Sequence, residues 1–304
     1  MSPKWLPAKL SPPQARSVWC RIRLFEELDD ALSASAALWI AASPGAGKTA
    51  LVASYLQQRN LRAAWYRIDE GDRDPAVFLH HLVWAASRIA PECDATALPR
   101  FPDEPRTDVA GFARHYFDQF FAGLPRGAVL VFDDWTLPPE SPVLKLLQVA
   151  LSNLPDGINV IAISRDGPPA AYARMRTNGT MTLMDGNLLR LTADEATALA
   201  EERCDADSIP TSETLSDVHG LVDGWVAGFL LMLDGLRNSG RSLDQSVLPN
   251  ERVLFDYLTS EVLEHLDRGD QNLLLRVAIL PVITPEAAEA VTNHCEAATV
   301  LERL

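Results

Sequence analysis

The sequence predicts an α/β protein built on a parallel sheet, with additional helices towards its C-terminal end. Two observations predict the sheet. Apolar runs alternate with segments of helical spacing up to about residue 190, and one of these runs leads through a Pro/Gly loop into a helix. Because neighbouring parallel strands need a long crossover, this alternation is typical of parallel sheets. After Thr192 only helical spacing remains, which predicts the helical part.

The composition is that of a globular protein, with 47% apolar and 22% charged residues among 304. The formal charge of −14 argues against nucleic-acid binding by this segment, because a phosphate backbone is held by Lys and Arg clusters. The most apolar late stretch, 221–236, is interrupted by Asp223 and Asp234 and is too short to span a bilayer. The N-terminus lacks an apolar signal core. We therefore expect a cytoplasmic protein without membrane contact.

The four cysteines are scattered singly, without metal or redox spacing: Cys20, Cys93, Cys204 and Cys295. Such an arrangement indicates thiols of a reducing compartment.

Residues 1–17 contain four prolines and predict an extended arm. The stretch 18–32 then has helical spacing, and Arg21 and Arg23 lie just before that helix. Two roles are possible for such an arginine. Its side chain is solvated at the surface, or, as the sharper alternative, the Arg21 side chain faces a bound nucleotide.

The stretch 37–55 contains the strongest motif. An apolar run typical of a buried strand (37–42) is followed by a Pro/Gly loop, and a helix begins at Lys48. This order is that of a phosphate-binding P-loop, in which glycines let consecutive N–H groups surround an anion and the helix N-terminus adds positive charge. We expect Lys48 to contact the β- and γ-phosphates and the Thr49 hydroxyl to bind Mg²⁺. The predicted nucleotide-binding residues of the motif are Pro44, Gly45, Ala46, Gly47, Lys48, Thr49 and Ala50. Ala42 stands where the motif has its first glycine.

A second strand is predicted over 61–68, ending in the acidic loop 69–72. Asp74 and Pro75 then predict a helix start, as N-cap and first helical residue. His80 and His81 are adjacent, so they face different ways and are interpreted as ordinary helix residues. A polar, proline-containing loop (91–105) and an amphipathic helix (109–124) follow.

The run 128–135 is a buried strand that ends in two carboxylates, which is the Walker B pattern. We expect Asp133 to complete the Mg²⁺ site and Asp134 to orient or deprotonate an attacking water. Alone the pattern is weak, since a strand followed by a helix cap looks the same. Its place about 85 residues after a P-loop makes it persuasive.

The next predicted elements are a helix (141–154) and a buried strand (157–163) that ends in Ser164 and Arg165. Arg165 is a candidate γ-phosphate contact, and pairing with a surface acid is the equal alternative. A short helix (168–177) and a last strand (180–184) complete the sheet region.

Thr192 and Glu195 form a capping-box pattern at the start of the helical part. The helices expected after it lie near 193–204, 211–219, 223–237, 251–266, 270–279 and 285–293, with another beginning near Ala297. A stripe on the third of these is interpreted as core: Trp225, Phe229, Met232, Leu233 and Leu236. Because the last residues stop inside a helical pattern, we expect the natural chain to continue.

The motifs together resemble the ATP-binding module of the signal-transduction NTPases with numerous domains (STAND), especially the large LuxR-type regulators that include the maltotriose-responsive transcription activator. The residues that carry the resemblance are V-W-C-R-I-R-L (18–24), S-P-G-A-G-K-T (43–49), W-Y-R-I-D-E-G-D-R-D-P-A-V-F-L (65–79), V-L-V-F-D-D-W (129–135), I-S-R (163–165), L-T-A-D-E-A (191–196), D-G-W-V-A-G-F (223–229) and F-D-Y-L-T-S-E-V-L (255–263). The resemblance covers nearly the whole chain.

The resemblance implies a parallel P-loop NTPase sheet followed by a helical domain and a partial winged helix. The expected domains are an N-terminal arm (1–24), the P-loop domain (25–190), the helical domain (191–247) and the partial winged helix (248–304). It also implies a switch that holds ADP at rest and exchanges it for ATP when a small-molecule or protein inducer acts. The ATP form then self-associates and hydrolyses ATP slowly.

Two departures from the family pattern bear on nucleotide retention. Val226 stands where the family has a proline that packs on adenine, so it is the predicted adenine contact here. The winged helix stops before a histidine that faces the ADP β-phosphate in relatives, so we expect this piece to exchange ADP without an inducer.

Two other functions remain open at this point. A constitutive AAA-type motor would turn over several ATP per second without inducer, and a non-hydrolysing scaffold would self-associate equally with and without nucleotide. A small-molecule kinase is disfavoured because no acceptor-site motif is visible.

Overall fold

The computed structural model describes residues 7–13, 20–91, 98–102, 108–205, 209–239, 268–278, 280 and 284–292. The chain divides into two compact units. The first unit comprises Met1–Ala42 and Gly47–Leu189, and the second comprises Ser43–Ala46 and Arg190–Leu304.

The first unit is built on a five-stranded parallel sheet with the strand order β2-β3-β4-β1-β5. Its strands are β1 (Ala37–Ala41), β2 (Ala63–Arg67), β3 (Ala128–Asp133), β4 (Ile158–Ser164) and β5 (Met181–Met184). All five lie within a residue or two of the predicted runs, and the parallel α/β fold is confirmed. Every residue of β3 is buried, as expected for a strand with neighbours on both sides and helices on both faces.

Helices connect the strands of the first unit. They are α1 (Ile22–Ala34), α2 (Lys48–Gln58), α3 (Pro75–Ala86), α4 (Val109–Ala122), α5 (Pro142–Ser152) and the short α6 (Ala173–Thr177). The predicted cap at Asp74 is confirmed, since its carboxylate accepts from the N–H groups of Ala76 and Val77. The core contains large aromatic side chains that are almost fully buried, among them Trp39, Trp65, Tyr66, Phe78 and Tyr172.

The arm departs from the extended chain that its prolines predict. Ala8–Leu10 form a 3-10 turn, and the Leu10 side chain is completely buried. Lys9 reaches the acidic loop after β2, where its Nζ lies 2.8 Å from Asp72 Oδ1 and 3.0 Å from Asp69 Oδ2. The arm is therefore anchored by one apolar and one ionic contact, which the proline count alone did not indicate.

The second unit is helical. Its described helices are α7 (Ala193–Arg203), α8 (Ser212–Val222), α9 (Val226–Ser239), α10 (Arg268–Val277) and α11 (Pro285–Thr292). The capping box of Thr192 and Glu195 is confirmed by both of its hydrogen bonds. None of the described helices is long and apolar enough to cross a bilayer.

One predicted helix, 223–237, begins later than expected. Asp223 and Gly224 have left-handed backbone conformations, with φ of +48° and +71°, so they end α8 rather than open α9. The predicted helices at 251–266 and from Ala297, and the predicted boundary between 247 and 248, lie outside the described residues.

Candidate functional site

The loop between β1 and α2 has the backbone that its glycines predict. Gly45 and Gly47 adopt φ of +77° and +84°, values that residues with a side chain rarely adopt. Ala46 N–H donates to Ser43 O at 3.3 Å, and proline followed by a left-handed glycine is the pattern of a type II turn. Ala50 is exposed on the first turn of α2.

Ala42, which replaces the first glycine of the motif, packs against the turn after β5. A Cβ added at Gly186 would lie 3.2 Å from Ala42 Cβ, so the two backbones approach closely there. The methyl group of Ala42 is thus accommodated because its neighbour has no side chain.

Lys48 begins α2, and its ammonium group donates to Ala42 O at 2.5 Å. Burial lowers the pKa of Lys48 to about 8, and the nearby positive charge of Arg165 contributes. The carboxylates of Asp133 and Asp134 act in the opposite direction. A partly desolvated ammonium group beside an N–H-rich loop is suited to bind an anion.

Thr49 and Asp133 meet at the carboxyl edge of the sheet. The Thr49 hydroxyl donates to Asp133 Oδ1 at 2.9 Å, and Asp133 is 6% exposed. Burial raises the pKa of Asp133, while the Thr49 hydrogen bond acts to lower it. A hydroxyl and a carboxylate side by side are oxygen ligands of the kind that Mg²⁺ prefers, so the donor set fits this ion.

Asp134 has φ of +57°, which is unusual for a residue with a side chain. Its N–H donates to Asp133 Oδ1 at 3.0 Å, and its carboxylate forms an ion pair with Arg67 at 3.3 Å. Arg67 is the residue of β2 that lies opposite Asp133 in the strand register. Arg67 was not predicted as a site residue, because only the pairing of β2 with β3 brings it to Asp134.

Arg165 follows β4 directly, and its charge acts on Lys48, so the structure places it within electrostatic range of that side chain. Arg21 is not solvated surface. It is 7% exposed, and its Nη1 donates to Leu189 O at 2.8 Å. The neighbouring Arg23 donates to Leu188 O at 3.1 Å. The nucleotide contacts of Arg165 and Arg21 stay predictions.

The middle of the loop is held within the second unit. Trp225 Nε1 donates to Pro44 O at 3.0 Å, and Ala227 N–H donates to Gly45 O at 3.0 Å. Trp225 was predicted as a core residue, but its side chain is only half-buried, whereas Phe229 is completely buried. Val226 lies between the two donors as the first residue of α9.

His81 has a contact that its interpretation as an ordinary helix residue did not foresee. Its Nδ1 lies 3.4 Å from Asp72 Oδ1, and Asp72 also accepts from Tyr66 Oη at 2.7 Å. Within the part of the chain that the structure describes, no cluster of His, Cys, Asp and Glu side chains could hold a metal ion by itself.

Comparison with known proteins adds two kinds of similarity. Residues 259–304 match the family described as the MalT winged helix domain, which confirms the partial winged helix that was predicted. The chain is 25% identical to the HTH-type transcriptional regulator MalT of Vibrio campbellii over 308 residues, covering 99% of this chain and 33% of the relative. It is 29% identical to MalT of Serratia proteamaculans over 283 residues, covering 90% of this chain and 30% of that relative. The chain thus spans about a third of the length of the curated relatives it matches.

A solved structure described as the Walker-type ATPase PABY2304 of Pyrococcus abyssi is similar at a TM-score of 0.55 and 12% identity. The similarity covers 98% of this chain and 92% of the other. At this identity it shows the fold alone, which is that of a P-loop NTPase.

Proposed function

We propose that this MalT-like NTPase module of the STAND class binds ATP and ADP with Mg²⁺ and serves as the nucleotide switch of a transcriptional regulator. The observation that carries the proposal is the hydrogen bond of 2.9 Å between Thr49 and Asp133, beside Lys48 at the start of α2. It joins the two halves of the motif, 84 residues apart in the chain, at one edge of the sheet.

The residues of the loop would divide the work of binding. The N–H groups at the start of α2 would hold the phosphate oxygens, assisted by the helix dipole. Lys48 would leave Ala42 O and add its charge to the outer phosphates. Thr49 and Asp133 would hold Mg²⁺, which when bound neutralises charge on the phosphates.

Asp134 would orient the attacking water, and Arg67 opposes this role in the present structure. The ion pair of 3.3 Å directs the Asp134 carboxylate to the end of β2. Hydrolysis would require that carboxylate to leave Arg67, which agrees with a slow ATPase. Arg165 would contact the γ-phosphate and so distinguish ATP from ADP, since its charge acts on Lys48.

The regulatory part of the proposal rests on the named relatives, which are transcriptional regulators. An inducer would act through other parts of such a regulator and promote exchange of ADP for ATP, followed by self-association. With a formal charge of −14, this segment would not hold DNA itself. The cytoplasmic location stays a prediction.

Titration calorimetry with ATP and ADP, with and without Mg²⁺, tests the proposal. Lys48→Ala should weaken ATP binding about 10- to 100-fold, because a hydrogen bond to a charged group contributes about 1.5–3 kcal/mol. The matched control is Lys145→Ala, which removes an exposed lysine of α5 and should change nothing. Equal ATP affinity of the wild type and Lys48→Ala would refute nucleotide binding at this loop.

Two measurements separate the alternative functions. Turnover of several ATP per second without inducer would indicate a motor. Self-association that is the same with and without nucleotide would indicate a scaffold.

A further inference from the structure

We propose that Trp225 is a positioning residue for the phosphate-binding loop. Its indole N–H holds the Pro44 carbonyl, so that the Gly45 N–H of the same peptide faces the bound phosphates. This inference rests on the proposed function, because it supposes that the loop binds phosphate.

Two consecutive carbonyls of the loop are held from the start of α9. Pro44 O accepts from Trp225 Nε1 and Gly45 O accepts from Ala227 N–H, each at 3.0 Å. In a planar trans peptide the C=O and N–H groups point in opposite directions. The Pro44 carbonyl shares its peptide with Gly45 N–H, and the Gly45 carbonyl shares its peptide with Ala46 N–H. The Gly45 N–H is therefore turned away from the start of α9, whereas the Ala46 N–H closes the turn by donating to Ser43 O at 3.3 Å.

The orientation of these peptides decides whether the loop attracts an anion. A carbonyl oxygen that faced the phosphates would repel them, whereas N–H groups in the same place attract them. A turn with proline second and glycine third can interchange type I and type II forms by flipping its central peptide. Because Gly45 tolerates both forms, the sequence of the loop does not select one. The hydrogen bond from Trp225 selects the form in which Gly45 has φ of +77°.

Glycines on both sides of Trp225 make its position possible. A Cβ added at Gly228 would lie 2.3 Å from Trp225 Cε3 and 2.9 Å from Cζ3, so the ring occupies the space of a side chain. A Cβ added at Gly224, which has φ of +71°, would lie 2.8 Å from Leu191 O. The segment Asp223–Gly228 thus places one indole N–H at one loop carbonyl.

The test uses inorganic pyrophosphate and ADP as separate probes in titration calorimetry. The affinity for pyrophosphate depends on the phosphate-binding loop alone, whereas the affinity for ADP also depends on contacts to adenosine. Trp225→Phe keeps an aromatic ring and removes the N–H donor. A smaller fraction of the molecules then has the Pro44–Gly45 peptide in the orientation that binds phosphate, and the apparent affinity falls in proportion to that fraction. We expect both ligands to weaken by the same factor, about threefold to tenfold, the effect of one lost hydrogen bond. Trp84→Phe, a half-buried tryptophan of α3, is the matched control and should leave both affinities unchanged.

Gly228→Ala provides a second variant that leaves both hydrogen-bonding partners chemically intact. The added methyl group should displace the indole and weaken pyrophosphate, and alanine by itself favours a helix interior over glycine. Unchanged pyrophosphate affinity in both variants would overturn the inference. So would a loss confined to ADP, since Trp225 would then act on the adenosine part. If the wild type binds neither ligand, the proposed function fails and the inference with it.

Discussion

Nucleotide binding should weaken as the pH rises from 7 to 9, and the cause is the burial of Lys48. Its ammonium group has a pKa lowered to about 8, chiefly by desolvation. When phosphate oxygens surround the group, the charged form is favoured again and its pKa should return towards 10.5, the ordinary value. Binding above pH 8 must therefore take up a proton.

The size of the effect follows from the pKa of the free protein. About 90% of the Lys48 side chains carry a charge at pH 7 and about 10% at pH 9. If the charged form binds, affinity should fall about tenfold across this range, and proton uptake should rise from about 0.1 to about 0.9 per nucleotide.

Calorimetry in buffers of different ionisation enthalpy measures both quantities at once. ADP is titrated at pH 7, 8 and 9, and the difference in heat between buffers gives the protons taken up. Lys48→Arg is the control, since a guanidinium stays charged throughout this pH range. The affinity of this variant should depend less on pH, and its binding should take up no proton at this position. An affinity of the wild type that stays constant from pH 7 to 9 would refute the reasoning.

Three further outcomes are expected. Asp134→Asn should slow phosphate release from ATP about 10²- to 10⁴-fold while calorimetric ATP affinity is kept, and an unchanged rate would remove Asp134 from the water-orienting role. Arg165→Ala should lower the ratio of ATP to ADP affinity about tenfold in competition titrations, and an unchanged ratio would contradict a γ-phosphate contact. Lys9→Met should lower the free energy of unfolding in urea by about 2 kcal/mol, because it leaves the buried carboxylate of Asp72 without its cation, and a change below about 0.5 kcal/mol would contradict this.

The sequence predicted the features that depend on short stretches of chain. Buried parallel strands are continuous apolar runs, so β1, β3 and β4 could be located to within a residue or two. The capping box at Thr192 and the cap at Asp74 could be predicted for the same reason, since each is satisfied within three residues.

Contacts set by the pairing of distant segments could not be predicted in this way. Arg67 reaches Asp134 only because β2 lies beside β3 in a register that places Arg67 opposite Asp133. The left-handed conformation of Asp134 could not be predicted, since aspartate is enriched several-fold in that region but adopts it in only a minority of cases. Trp225 fits the helical apolar spacing of α9, so the sequence predicts a core residue. The hydrogen bond from its indole N–H to Pro44 O depends on the fold and has no sequence pattern.

Ala42 and Val226, which stand where the resembled family has glycine and proline, lie at different parts of the candidate site. Ala42 adds a methyl group that lies against Gly186, so the turn after β5 accommodates it. Val226 is the first residue of α9, a position where proline is favoured because its missing N–H is not needed by the helix. The hydrogen bonds to the loop come from the residues on either side of it, Trp225 and Ala227. Valine in place of the proline of the resembled family is therefore compatible with both hydrogen bonds to the loop, and we expect its consequence to fall on the adenosine part of the ligand.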